Sequence, residues 1–253
     1  MLSKKPWQME YVLMFCGALF MGLCLASIVA MGLHSAKVVG FKSEDDFGFL
    51  LCGTLGIQGF TWVLIPIFLK LHHLSLREAF GLNRPGWIGS LLLAAGALVF
   101  ALPIVLLLQS FSINVLERFG WPQENQRAVQ IFLAAKTPLA RGYFMFFAIV
   151  LAPVAEEFIF RGVLYPFIKQ RGWPKCAFIG VSALFALIHW DASAFIPLFV
   201  LAMLLTWLYE VTDCLLASIT AHALFNTINM VLLLFEPQIS DFLQKFKHTP
   251  LPQ

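Results

Sequence analysis

Residues 142–161 read GYFMFFAIVLAPVAEEFIFR: an uncharged apolar run, two adjacent acids at Glu156 and Glu157, and a base at Arg161. An ionisable side chain at bilayer depth costs roughly 2.5–3.5 kcal/mol on insertion scales, so a chain keeps one there when it faces the protein interior and has work to do. Of all the acidic residues, these two are set most deeply into apolar sequence. In a helix Glu157 and Arg161 stand at i and i+4 with the acid first, the favourable order for an ion pair. Glu156 has no such local partner, and an unpaired carboxylate in an apolar setting suits a general base. Pro153 removes a backbone donor just ahead of the acids, which predicts a kink or a restarted helix with both acids in its first turn. The bland alternative is a buried salt bridge plus a second acid that only braces helix packing.

Around this stretch the chain reads as membrane protein. Hydrophobic residues make up 60% of 253 and charged residues 12%, about half the charge of a soluble domain; the mean hydropathy is +0.82. Apolar runs recur at 11–36, 47–69, 85–116, 142–155, 176–190, 192–209 and 214–235. Most reach or approach the ~20 residues a spanning helix needs. None alternates with period two, which argues against strands. The expected fold is an all-α polytopic bundle of about 7–8 transmembrane helices: seven spans, or eight if 85–116 and the segment after it divide. The short runs 142–155 and 176–190 are expected to complete their spans with polar residues facing a cavity. The first run is too long for a signal-peptide core and is expected to be a retained helix.

Trp7, Trp87, Trp121 and Trp173 lie near run ends, where interfacial anchors sit. Basic residues divide equally between the two sides, so the positive-inside rule assigns no orientation. A net charge of +3 with scattered bases gives no support to nucleic-acid binding. The five cysteines form no C-x-x-C pair and read as small apolar packing residues. Residues 124–135 have the pattern of a short interfacial helix. The organisation is one bundle, with variable membrane helices at 1–140, a core carrying the chemistry at 141–235 and a tail at 236–253.

Two further places carry polar groups in apolar helices. His189 ends the segment FALIHW, on the face of Phe185; alone, it reads more readily as an interfacial residue or a helix C-terminal dipole partner. His222, Asn226 and Asn229 recur at i, i+4 and i+7, a polar stripe that serves either interhelical hydrogen bonding or donation to a reacting oxyanion. Two acids, two histidines and an amide supply what water attack on an amide requires. There is no G-x-S-x-G, no credible Ser-His-Asp grouping and no H-E-x-x-H, so acyl-enzyme routes and the soluble zincin arrangement fit poorly.

EEFIFR, FALIH and HALFN match E-E-x-x-x-R, F-x-x-x-H and H-x-x-x-N, in that order. The chain thereby resembles the CPBP intramembrane proteases, the family of CaaX proteases and bacteriocin-processing enzymes also called Abi, over about residues 140–235. The resemblance implies a helical bundle with a cavity where water meets a peptide bond of a peptide or protein substrate in or at the bilayer, in a multi-pass protein of the cell membrane. It implies that Glu156 activates the water with His189, that His222 and Asn226 stabilise the oxyanion, and that Glu157 and Arg161 complete or brace the site. Two forms of the chemistry stay open: a glutamate-dependent protease without metal, or a zinc enzyme with Glu156, His189 and His222 as ligands. So do readings of another class, in which the same polar cluster serves a non-enzymatic scaffold or immunity protein, or a transporter with broken helices near Pro153.

Overall fold

The computed structural model describes residues 2–38, 47–82, 86–121, 132, 135 and 137–247, and the expected interfacial helix at 124–135 lies almost wholly outside them. Every regular element among the described residues is helical. α1 is Met9–Ser35. α2, Phe47–Thr54, runs through a π-helical turn at Leu55–Gly59 into α3, Phe60–Leu71. α4 is the short Leu76–Phe80 and α5 the long Trp87–Arg118. α6, Pro138–Lys169, contains two further π-helical turns, at Phe147–Leu151 and Phe158–Leu164. α7 is Pro174–Leu187, α8 Ala192–Thr212 and α9 Leu215–Lys247.

Five of these helices are long and apolar enough to cross a bilayer: α1, α5, α6, α8 and the 215–235 part of α9. α3 and α7 are shorter apolar helices, so the count of 7–8 spans is met only by adding elements below spanning length. The run 85–116 does not divide; α5 is one helix with Pro103 inside it. The run 142–155 extends much further than its apolar sequence suggests. α6 carries Glu156, Glu157 and Arg161 through its middle because helical neighbours, rather than lipid, surround them. α7 stays short, at 14 residues.

Pro153 does not restart the helix. Leu151 and Ala152 keep helical dihedrals, and the π turn just ahead, with its i→i+5 bonding, absorbs the missing donor. The acids therefore lie mid-helix, where the macrodipole gives them nothing.

Lipid tails are as apolar as leucine, so burial alone does not drive such a bundle together; close packing and interhelical hydrogen bonds do. α5, α8 and α9 pack on one another, and α7 lies against α8. Ala94, Leu98 and Val105 of α5 meet Leu201, Leu205 and Ala221 in one core. A second core joins Phe15, Phe68, Phe158, Val181 and Tyr209 around the N-terminal helices and α6. Leu92, Phe100 and Leu107 of α5 and Phe20, Met21 and Ile28 of α1 point outward, as lipid-facing residues do.

Trp87, Trp121 and Trp173 are exposed as anchors should be, but Trp7 is 8% exposed. Its indole Nε1–H donates to the Gly162 carbonyl at 2.8 Å, because the widened turn around Gly162 leaves a carbonyl to be satisfied. Residues 2–8 thus run across one end of the bundle: Ser3 N–H and Lys5 Nζ reach the two oxygens of Asp213 at 2.9 and 3.0 Å. At the same end Gly81 takes a left-handed φ of 76°, and a Cβ there would stand 2.7 Å from the Asp213 carbonyl oxygen. Both conformation and space demand glycine.

Candidate active site

α6 and α9 cross so that one face of each is hidden from lipid, and the six candidate residues divide into three groups there. The first is a buried ionic cluster. Glu157, Arg161 and His222 are 0%, 0% and 4% exposed. Arg161 Nη1 donates to Glu157 Oε1 at 2.7 Å, Nη2 to the Ala202 carbonyl at 2.9 Å and Nε to Thr206 Oγ1 at 3.3 Å. Its guanidinium also lies over the Phe185 ring, 4.6 Å from the centroid. A guanidinium taken out of water needs most of its donors filled, and α8 supplies partners that no sequence motif marks: a threonine and a backbone carbonyl. His222 Nδ1 is 2.9 Å from the same Glu157 Oε1. With the carboxylate accepting, Nδ1 carries the proton and the ring is oriented with Nε2 towards Glu156.

Glu156 forms the second group, at the edge of this cluster. Its side chain is 14% exposed and Oε2 stands 3.8 Å from His222 Nε2. Oε1 accepts from Gln58 Nε2 at 3.4 Å. The two adjacent acids therefore have opposite environments. Glu157 is committed to Arg161 and His222, while Glu156 accepts from Gln58, stands near His222 and stays partly exposed.

The third group lies apart. Asn226 Nδ2 donates to the Ala148 carbonyl at 2.8 Å, tying α9 to the first π turn of α6 and leaving one amide hydrogen for other use. Asn229 back-bonds to the Phe225 carbonyl of its own helix. His189 follows the last turn of α7 and is exposed. Its Nδ1 meets the Phe185 carbonyl at 2.7 Å, and its ring packs on the Phe185 ring, which also contacts His222. Phe185 thus lies between His189 and the buried cluster, and the structure does not bring His189 into hydrogen-bonding contact with Glu156.

The three donors named for zinc do not converge. Among the described residues no group of three His, Cys, Asp or Glu side chains could hold a metal ion: one His222 nitrogen is turned to Glu157, and His189 stands behind Phe185. The donor set as arranged does not fit a zinc site.

No motif in the sequence marks Gln58. It is a single amide in the run 47–69 with no charged neighbour, and only the π turn that carries it brings it to Glu156. Three widened turns carry or contact the candidate residues: the one holding Gln58, the one offering the Ala148 carbonyl to Asn226, and the one beginning beside Glu157 and holding Arg161. Such turns concentrate at functional sites because they redirect side chains and free backbone groups.

Residues 138–228, from the first residue of α6 to just past Asn226, match the family model described as Rce1-like, type II CAAX prenyl endopeptidase Rce1-like. All six motif residues fall within that segment, and the resemblance read from the three motifs is borne out over it. The UPF0177 protein YaiF of Lactococcus lactis subsp. lactis (strain IL1403) is 35% identical over 86 residues, 32% of this chain and 37% of that protein. The chain thus aligns with little more than a third of the curated relative it matches. No solved structure matches it.

Proposed function

We propose that this integral membrane chain, Rce1-like over residues 138–228, is an intramembrane endopeptidase that cleaves a peptide bond near the C-terminus of a lipidated, CaaX-type protein or peptide. The observation that carries the reading is the asymmetry of the two acids. Glu157 is spent on Arg161 and His222, whereas Glu156 lies at the cluster's edge, oriented and partly accessible. A base must be both held in place and able to reach its proton.

In the proposed reaction Glu156 takes a proton from a water molecule as the water oxygen bonds to the scissile carbonyl carbon. The negative charge passes to the carbonyl oxygen. His222, through its Nε2 edge, and the second amide hydrogen of Asn226 serve that oxyanion. As the tetrahedral species collapses, the C–N bond breaks and Glu156 returns its proton to the leaving amine. Arg161 and Glu157 do not touch substrate; they hold His222 against the charge that develops beside it. His189, exposed beside Phe185, assists from the rim.

The test is a purified, detergent-solubilised chain incubated with a farnesylated peptide ending in a CaaX sequence and with unlipidated peptides, read by mass spectrometry. The reading expects release of the C-terminal tripeptide from the farnesylated peptide. In Glu156→Gln turnover should fall by roughly 10²–10⁴-fold, the worth of a positioned base, with the melting temperature unchanged. Equal cleavage by wild type and Glu156→Gln removes the base assignment. Cleavage confined to unlipidated peptides removes the substrate class.

A further inference from the structure

We infer that Gln58, in the N-terminal half and outside the family-matched segment, is a positioning residue that holds the Glu156 carboxylate in its reactive orientation. The inference rests on the base role assigned to Glu156 above.

A primary amide in an apolar helix is expensive unless it is hydrogen-bonded. Gln58 is half-buried and spends a donor on Glu156 Oε1 at 3.4 Å, while His222 Nε2 faces Oε2 at 3.8 Å. Gln58, from the α2–α3 rod, thus donates to one oxygen of the carboxylate, while the His222 imidazole of α9 stands beside the other, beyond hydrogen-bond reach. Without the Gln58 donor the group would be free to turn about its terminal bond.

The rod is placed closely enough to make this contact because small residues let α1 approach it. A Cβ on Gly56 would stand 2.7 Å from Ala26 Cβ, and one on Gly22 would stand 2.5 Å from the Phe60 ring. Gly56 turns its backbone towards α1. Gln58, two positions on, therefore points to the far side of the rod, where α6 passes. The π turn that holds both residues faces α1 on one side and the acid-bearing part of α6 on the other. On this reading the variable N-terminal helices do more than occupy the bilayer: they complete the site with a group that the 138–228 segment does not contain.

The test compares wild type, Gln58→Met, Glu156→Gln and the double variant, with an internally quenched farnesylated CaaX peptide as substrate. Methionine has similar length and no N–H. Gln58→Met should lower kcat on the order of 10–100-fold, the scale of a hydrogen bond to a charged group. KM should stay within about twofold, since the group does not bind substrate. In the Glu156→Gln background the same change should cost under about twofold, because the carboxylate it serves is gone. If the methionine variant fails to fold by thermal melt, Gln58→Asn, one methylene short of reaching, is read in its place. Unchanged kcat in Gln58→Met beside an inactive Glu156→Gln overturns this inference alone. So does an equal loss in both backgrounds, which marks a purely structural residue. Full activity in Glu156→Gln overturns the base assignment and this inference with it.

Discussion

Arg161 Nη1 lies 2.7 Å from Glu157 Oε1, and neither side chain has any exposed surface. Desolvating two charges is costly enough that such a pair contributes little by itself, but removing one partner leaves the other uncompensated. Arg161→Ala should therefore cost about 3–5 kcal/mol, seen as a large drop in melting temperature in detergent. Arg161→Lys retains the charge but not the fork that reaches Thr206 and Ala202, and should fall between the two. An unchanged melting temperature in the alanine variant would show that Arg161 serves substrate rather than structure.

Asn226 has a structural task beside its proposed catalytic one. Its Nδ2 caps the Ala148 carbonyl, so Asn226→Ala should lose about 1 kcal/mol of stability together with on the order of 10²–10³ in turnover. Asn226→Asp places a carboxylate against a carbonyl oxygen and should be less stable than the alanine variant in the same melt. Equal stability of the two would mean that the contact with Ala148 carries no weight.

Gly56 should tolerate no larger residue. Adding a methyl group where Ala26 Cβ already stands 2.7 Å away forces two helix backbones apart, since neither Cβ can move by itself. Overpacking of this kind typically costs about 1–3 kcal/mol. Gly56→Ala should also lower kcat by drawing Gln58 away from Glu156. A variant that melts and cleaves like wild type would contradict the close approach of α1.

The turn between α8 and α9 predicts an acid sensitivity. Desolvation pushes the Asp213 carboxyl up, but hydrogen bonds from Ser3 and Lys5 and the charge of Lys5 outweigh it and hold the group below its ordinary value of 3.8. A depressed folded-state value adds stability above the unfolded value and loses it as pH falls through the folded one. The contribution is therefore full at neutral pH and fades below about pH 4. Asp213→Asn should melt lower than wild type at pH 7, with the gap closing as the pH is taken down through that range. Asparagine suits the left-handed φ of 50° at this position, so the change tests the charge rather than the backbone. A gap that stays constant with pH would refute the assignment.

Much of the site was legible in the chain itself. An acid pair inside the run that begins at 142 has few uses other than facing inward, and the i, i+4 spacing of Glu157 and Arg161 specifies their contact because helix geometry is local. The same locality placed His222 and Asn226 on one face of α9. What spacing cannot carry is which other element closes on that face. Thr206 and the Ala202 carbonyl around Arg161, Trp7 on the Gly162 carbonyl, and Phe185 between His189 and the cluster are partners remote in sequence.

The sequence by itself determined an all-helical membrane chain and the polar candidates set into its apolar segments, Glu156, Glu157, Arg161, His189, His222 and Asn226, because apolar length and helical period are properties of single segments. Only the tertiary structure decided how the two acids differ: Glu157 is sealed between Arg161 and His222, and Glu156 is gripped by Gln58 and left accessible. It also decided that the helix runs on past Pro153, since a π turn can absorb a missing hydrogen bond that the residue order shows only as a break. Those outcomes depend on how closely helices approach and how far their turns widen, and both are set by packing between segments.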